Sequence, residues 1–140
     1  MIENNFTAVY DKLRLAFYRR VFSEVKEREG SLSATEMFSA EIINSLGRPT
    51  IGQFAEFIGI SLPGATYKVN SLEKKGYVKR VRSKKDRRES FLEMTGKYHE
   101  YAHLNLENLK KVFMKVNEGF SIEELELLDR MLGVIANELE

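Results

Sequence analysis

The stretch Thr50-Ile51-Gly52-Gln53-Phe54-Ala55-Glu56-Phe57-Ile58-Gly59-Ile60-Ser61-Leu62-Pro63-Gly64-Ala65-Thr66-Tyr67-Lys68-Val69-Asn70 reads as helix, tight turn, helix. Thr50 and Gln53 have the S/T-x-x-E/Q spacing of a capping box, in which hydroxyl and amide satisfy N–H groups left over at a helix start. Ala55 is small enough to let two helices cross closely. Gly59 can take the turn, and Ala65 can seat the second helix. Ser61 caps that second helix, and Pro63 falls in its first turn, where a missing N–H is tolerated. Ala65, Val69 and Leu72 then form its buried stripe. Leu62, Gly64, Thr66, Tyr67, Asn70 and Lys74 fall on the opposite face.

The same punctuation continues outward. Ser33-Ala34-Thr35-Glu36 and Ser121-Ile122-Glu123-Glu124 are two further capping boxes, and Gly30, Gly47, Gly76 and Gly119 mark helix ends suited to a left-handed residue. These marks predict six helices, over 5–29, 33–46, 50–58, 62–75, 96–118 and 122–139. The first carries an apolar stripe of Phe6, Val9, Tyr10, Leu13, Phe17, Val21 and Val25. Residues 77–94 resist a helical reading. Tyr77-Val78-Lys79-Arg80-Val81-Arg82 and Ser90-Phe91-Leu92-Glu93-Met94 flank the charged turn Ser83-Lys84-Lys85-Asp86-Arg87-Arg88-Glu89, a β-hairpin with a basic tip.

Charge singles out the same region. The 140 residues carry a net charge of only +1. Yet Lys68, Lys74, Lys75, Lys79, Arg80, Arg82, Lys84, Lys85, Arg87 and Arg88 face only Glu73, Asp86 and Glu89 between Ser61 and Ser90, a local excess of +7 against −6 elsewhere. A basic block in an acidic chain is the footprint of a polyanion-binding surface, or else a solvated lysine-rich loop. Thr66, Tyr67 and Asn70 offer donors, acceptors and apolar edges suited to base edges in a major groove; the plainer alternative is that they face solvent. Lys68, Lys74 and Lys79 suit phosphates, and Gly64 permits close approach to a phosphate backbone.

Other chemistries are short of parts. The chain has no cysteine and two histidines, which excludes disulfides, thiolate zinc sites and cysteine nucleophiles. His99 and His103 stand four apart on a helix, but spacing dictates no third ligand, so no metal and no cofactor are expected. Glu123 and Glu124 suit a helix start better than a catalytic pair. With no apolar run of roughly 18–20 residues and no secretion signal, the expectation is a soluble, cytoplasmic protein with no membrane partner and no enzymatic activity.

Ile51-Gly52-Gln53-Phe54-Ala55-Glu56-Phe57-Ile58-Gly59-Ile60-Ser61, then Leu72-Glu73-Lys74-Lys75-Gly76-Tyr77-Val78-Lys79-Arg80, then Asp86-Arg87-Arg88 with Met94-Thr95 resembles the MarR/SlyA family of multiple-antibiotic-resistance regulators. Three departures stand out: Met94 replaces a usual leucine, Tyr98 stands where a glycine commonly closes the motif, and Leu62-Pro63-Gly64 is an unusual opening for the recognition helix. The resemblance implies a mostly α fold with a small β-hairpin, a winged helix-turn-helix over 33–95 within a single 1–140 domain, and dimerisation helices over 1–29 and 96–140. It implies a homodimer on a pseudo-palindromic double-stranded DNA operator, acting as a repressor. Ser61, Pro63, Gly64, Thr66, Tyr67, Lys68, Asn70 and Lys74, with Arg82, Lys84, Lys85 and Arg87 of the wing, would then bind DNA, the helix over 62–75 entering the major groove and Arg87 lying nearer the backbone. Arg88 would enter the adjacent minor groove, with Asp86 holding the wing. It also implies that an aromatic or lipophilic anionic effector can bind where Phe17, Tyr18, Phe22, Met37 and Phe38 gather, although each of these taken singly suits a core. The rival from another class is a winged-helix protein-interaction module whose basic hairpin docks on an acidic partner.

Overall fold

The computed structural model describes residues 1–24 and 30–139. The element order is α1 (Ile2–Glu24), α2 (Ala34–Leu46), α3 (Ile51–Ile58), α4 (Leu62–Lys74), β1 (Val78–Arg82), β2 (Ser90–Met94), α5 (Gly96–Gly119) and α6 (Ile122–Glu138). The chain divides into two compact units, Met1–His99 and Glu100–Glu140.

All three capping boxes form, each with the hydroxyl accepting from the N3 amide and the N3 side chain accepting from the cap N–H. Helix α3 ends at Gly59 in the left-handed conformation (φ 68°), where the Ile60 N–H donates to the Ala55 carbonyl at 3.0 Å. Helix α4 ends similarly at Gly76 (φ 83°), with the Tyr77 N–H donating to the Leu72 carbonyl at 3.0 Å. That bond occupies the Tyr77 amide, so the strand expected from Tyr77 begins at Val78. Gly119 differs from the expectation: it is the last residue of α5 and is not left-handed. Helix α1 begins at Ile2 rather than at residue 5, and its expected stretch over 25–29, including Val25, lies outside the described residues.

The core of the first unit is built from α2, α3, α4 and the hairpin. Met37, Ala40, Ile43, Phe54, Ala55, Ala65, Val69, Leu72, Val78 and Leu92 are buried there. Strands β1 and β2 pair antiparallel in the register Val78↔Met94, Arg80↔Leu92 and Arg82↔Ser90. The residues before α3 add a short third edge: the Leu92 N–H donates to the Pro49 carbonyl at 2.8 Å, and Thr50 bridges Phe91. Gly47 and Arg48 are both left-handed there (φ 64° and 54°), which turns the chain from α2 into this edge. Tyr98, the departure noted above, is only 1% exposed and ranks among the largest fully buried side chains. Its bulk fills the core beneath the start of α5, where Thr95 has closed the hairpin by donating from Oγ1 to the Gly76 carbonyl at 2.5 Å.

Only the last third of α1 packs within the first unit. Val21 is buried, the Arg20 guanidinium meets the Glu41 carboxylate at 2.5 Å, and the Phe17 and Phe38 rings lie 5.8 Å apart. Phe6, Val9, Tyr10 and Leu13 are exposed, so the predicted stripe is real in spacing but not covered along its length. In the second unit, Val112, Phe113, Met114, Leu128, Met131 and Leu132 are likewise exposed.

Candidate nucleic-acid interface

Helix α4 sits with Ala65, Val69 and Leu72 completely buried, as its periodicity predicts, which fixes what its other faces present. Ser61 Oγ accepts from the Gly64 N–H at 3.2 Å and starts the helix, and Pro63 is exposed in the first turn. Gly64 has a local reason to be glycine: a Cβ there would meet Ser61 Oγ at 3.2 Å and crowd the cap.

Two stripes emerge on the outer surface of α4. Leu62 and the half-buried Thr66 line a cleft of about 430 Å³ with Thr50, Arg80, Arg88 and Ser90 from α3 and the hairpin. Tyr67, 77% exposed, and the half-buried Lys68 turn toward the start of α2, lining a smaller cleft of about 200 Å³ with Ser33, Glu36 and Ser71. Asn70 and Lys74 are exposed. Asn70 Oδ1 accepts from the Arg80 guanidinium, whose Nε also meets Glu73 Oε2 at 3.2 Å.

The wing tip is folded back on itself by short polar side chains. Ser83 Oγ accepts from the N–H groups of Lys85 and Asp86 at 3.2 and 3.3 Å, and the Ser83 N–H donates to the Glu89 carbonyl at 3.0 Å. Asp86 Oδ1 accepts from the backbone N–H of Arg88 at 2.9 Å. Asp86 thus holds the wing through the backbone turn; among the described residues no ion pair joins it to the Arg88 guanidinium, which is left to point outward. Ser83 carries as much of this turn as Asp86, and its place before a charged loop is the one sequence signal that marks it.

The ten cations of the basic block divide into two groups. Lys75 pairs with Glu36 at 2.7 Å, Lys79 with Glu93 at 3.4 Å and Arg80 with Glu73. Lys68, Lys74, Arg82, Lys84, Lys85, Arg87 and Arg88 make no ion pair among the described residues. Lys79, expected at phosphates, is therefore partly neutralised by Glu93, which Arg48 also meets at 2.8 Å. Lys75 is structural: its Nζ also donates to the Ser31 carbonyl at 2.7 Å.

Glu36 joins these elements. Besides capping α2 it accepts from Lys75 Nζ and from the Ser71 hydroxyl, linking α2 to the outer helix α4. Burial alone would raise its carboxyl pKa, but the bonds from Lys75, Ser71 and the Ser33 N–H, with the charge of Lys75, lower it from 4.5 to about 2.

Of the aromatic group, Met37 is fully buried in the core, Phe17 is half-buried, and Tyr18, Phe22 and Phe38 are exposed, Phe22 by 86%. His99 is exposed, while the His103 side chain lies outside the described residues; no group of three or more metal-ligating side chains occurs among the described ones.

Residues 32–90 match the MarR family, covering α2 through the wing tip. The chain belongs to the MarR family. This MarR-family chain is 26% identical over 146 residues to the uncharacterized HTH-type transcriptional regulator YcgE of Bacillus subtilis, spanning all of this chain and 95% of that one. It is 28% identical to FabT of Streptococcus pneumoniae, solved in complex with DNA, covering 96% of each chain with a TM-score of 0.54. A MepR mutant from a multidrug-resistant S. aureus clinical isolate, at 12% identity, shares the fold over 100% of this chain and 98% of its own, with a TM-score of 0.66. The protein is a MarR-family transcriptional regulator with a winged helix-turn-helix.

Proposed function

We propose that this regulator binds a pseudo-palindromic double-stranded operator as a homodimer and represses transcription by occluding a promoter. The observation that carries the reading is the cleft shared by α4 and the wing, where Leu62 and Thr66 face Arg88 beneath a tip whose cations make no ion pair among the described residues. A helix with exposed polar side chains suits a major groove, and a guanidinium on a narrow ribbon beside it suits a minor groove. Ser61, Pro63, Gly64, Thr66, Tyr67, Lys68, Asn70 and Lys74 contact one groove and its phosphates in this reading. Arg82, Lys84, Lys85, Arg87 and Arg88 follow the neighbouring backbone and minor groove, with Asp86 setting the turn. FabT, a relative solved with DNA, supports the assignment. The uncovered apolar faces of α1, α5 and α6 support self-association, which supplies the second reading head.

Relief of repression follows from an aromatic or lipophilic anion bound at Phe17, Tyr18, Phe22, Met37 and Phe38; the half-buried Phe17 ring lies 6.1 Å from that of Tyr18 and 5.8 Å from that of Phe38, with the Arg20 guanidinium 5.4 Å from it. The test is to sequence genomic DNA fragments retained by the purified protein and titrate the best fragment with salt. A palindromic consensus whose affinity falls steeply with salt supports the reading. Salt-insensitive binding to an acidic protein and none to duplex DNA replaces it with the protein-interaction module.

A further inference from the structure

We propose that Arg80, on the first strand of the wing, is a specificity-determining positioning residue that makes Asn70 select guanine at one base pair of each half-site. The inference rests on the DNA-reading assignment above and deepens it. A free asparagine side chain is matched to adenine, because its carbonyl accepts from the exocyclic amine while its amide donates to N7. Asn70 is not free. Guanidinium has donors only, so the Asn70 atom facing Arg80 is the carbonyl oxygen, and the amide nitrogen turns outward.

Glu73, one helical turn on, anchors the same guanidinium through Nε, so the pairing is held from two positions of α4. Arg80 is itself fixed in the strand opposite Leu92, and it lines the cleft between α4 and the wing. An adenine amine approaching Asn70 would meet a carbonyl already engaged by a cation, with guanidinium N–H groups beside it. Guanine presents two acceptors, O6 and N7, to that donor-only surface. Arg80 thereby also ties the identity of one base to the placement of the wing.

The experiment selects duplexes from a library randomised across the operator, using the full-length protein and its Arg80→Met, Asn70→Ala, double and Glu73→Gln variants, each checked for folding by circular dichroism. The expected result is guanine at one pair per half-site for the wild type, on the order of fivefold or more over adenine. Arg80→Met should move that pair toward adenine and leave the rest of the consensus unchanged. Glu73→Gln, which loosens the anchor without removing Arg80, should produce a smaller shift in the same direction. With Asn70→Ala in place, Arg80→Met should alter preference at no position. Uniform weakening by Arg80→Met on every sequence would make Arg80 a phosphate contact and overturn the inference. A shift that persists without Asn70 would mean that Arg80 reads the base directly, which also overturns it. A wild type with no sequence preference would overturn the operator reading as well, whereas a clear consensus without the shift overturns this inference alone.

Discussion

At the scale of single residues, the wing in the proposed reading holds one side chain that would enter DNA, Arg88, and one that shapes the turn beneath it, Asp86. Arg88→Ala should weaken binding to most duplexes, mainly where A·T-rich DNA flanks the half-sites, and leave the protein folded. Asp86→Ala acts differently because its carboxylate holds the Arg88 backbone N–H. It should loosen the tip and weaken binding less than Arg88→Ala, since removing a negative charge near phosphates offsets part of the loss. Anisotropy titrations on operator and scrambled duplexes at one salt concentration check both; an Asp86→Ala defect larger than that of Arg88→Ala would contradict this division. Asn70→Ala should cost about 1–3 kcal/mol on the operator and little on the scrambled duplex, and equal losses on both would remove Asn70 from base recognition.

Among the elements, what was legible in the sequence was local. Capping boxes, the Gly59 turn and the Ala65-Val69-Leu72 stripe depend on neighbours three or four residues away, and all formed. Gly119 was not legible, because the sign of φ at a helix end depends on where the following chain goes. The pairs that organise the candidate site were not legible either. Glu36 finds Ser71 and Lys75 across 35 and 39 residues, and no periodicity distinguishes a cation facing phosphate from one facing a carboxylate in another helix. Glu36 makes this testable by pH. Its folded pKa of about 2 lies below its unfolded 4.5, so its contribution is full above pH 4.5 and is lost as acidification carries the pH down toward 2. Thermal unfolding of the wild type should therefore fall more steeply across that window than that of Glu36→Gln, whereas parallel curves would show that the Lys75–Ser71–Glu36 link contributes nothing. Tyr98→Ala, which empties a fully buried aromatic site, should cost about 3–5 kcal/mol in chemical denaturation.

For the whole molecule, the exposed apolar residues of α1, α5 and α6 predict a dimer. Its heads should fit half-sites about 34–36 Å apart. Sedimentation should give a dimer mass at micromolar concentration, and Leu132→Glu should shift it toward monomer and weaken operator binding. A wild-type monomer with full affinity would exclude the arrangement. If each protomer neutralises about three to five phosphates, the log–log salt slope should be roughly −5 to −9, while a slope near zero would favour the protein-interaction module.

Lys75 and Arg80, and in part Lys79, are paired inside the chain, and this bears on how the regulator would search a genome. Every cation that neutralises a phosphate adds about 0.9 to the salt exponent on any duplex, whether or not the sequence is correct. Charges tethered to Glu36, Glu93 and Glu73 add little of that indiscriminate grip, so dissociation from random DNA is faster and hops between segments are more frequent. Dwell time is then set by base recognition, and a small population of molecules can sample many wrong sites before settling on the right one.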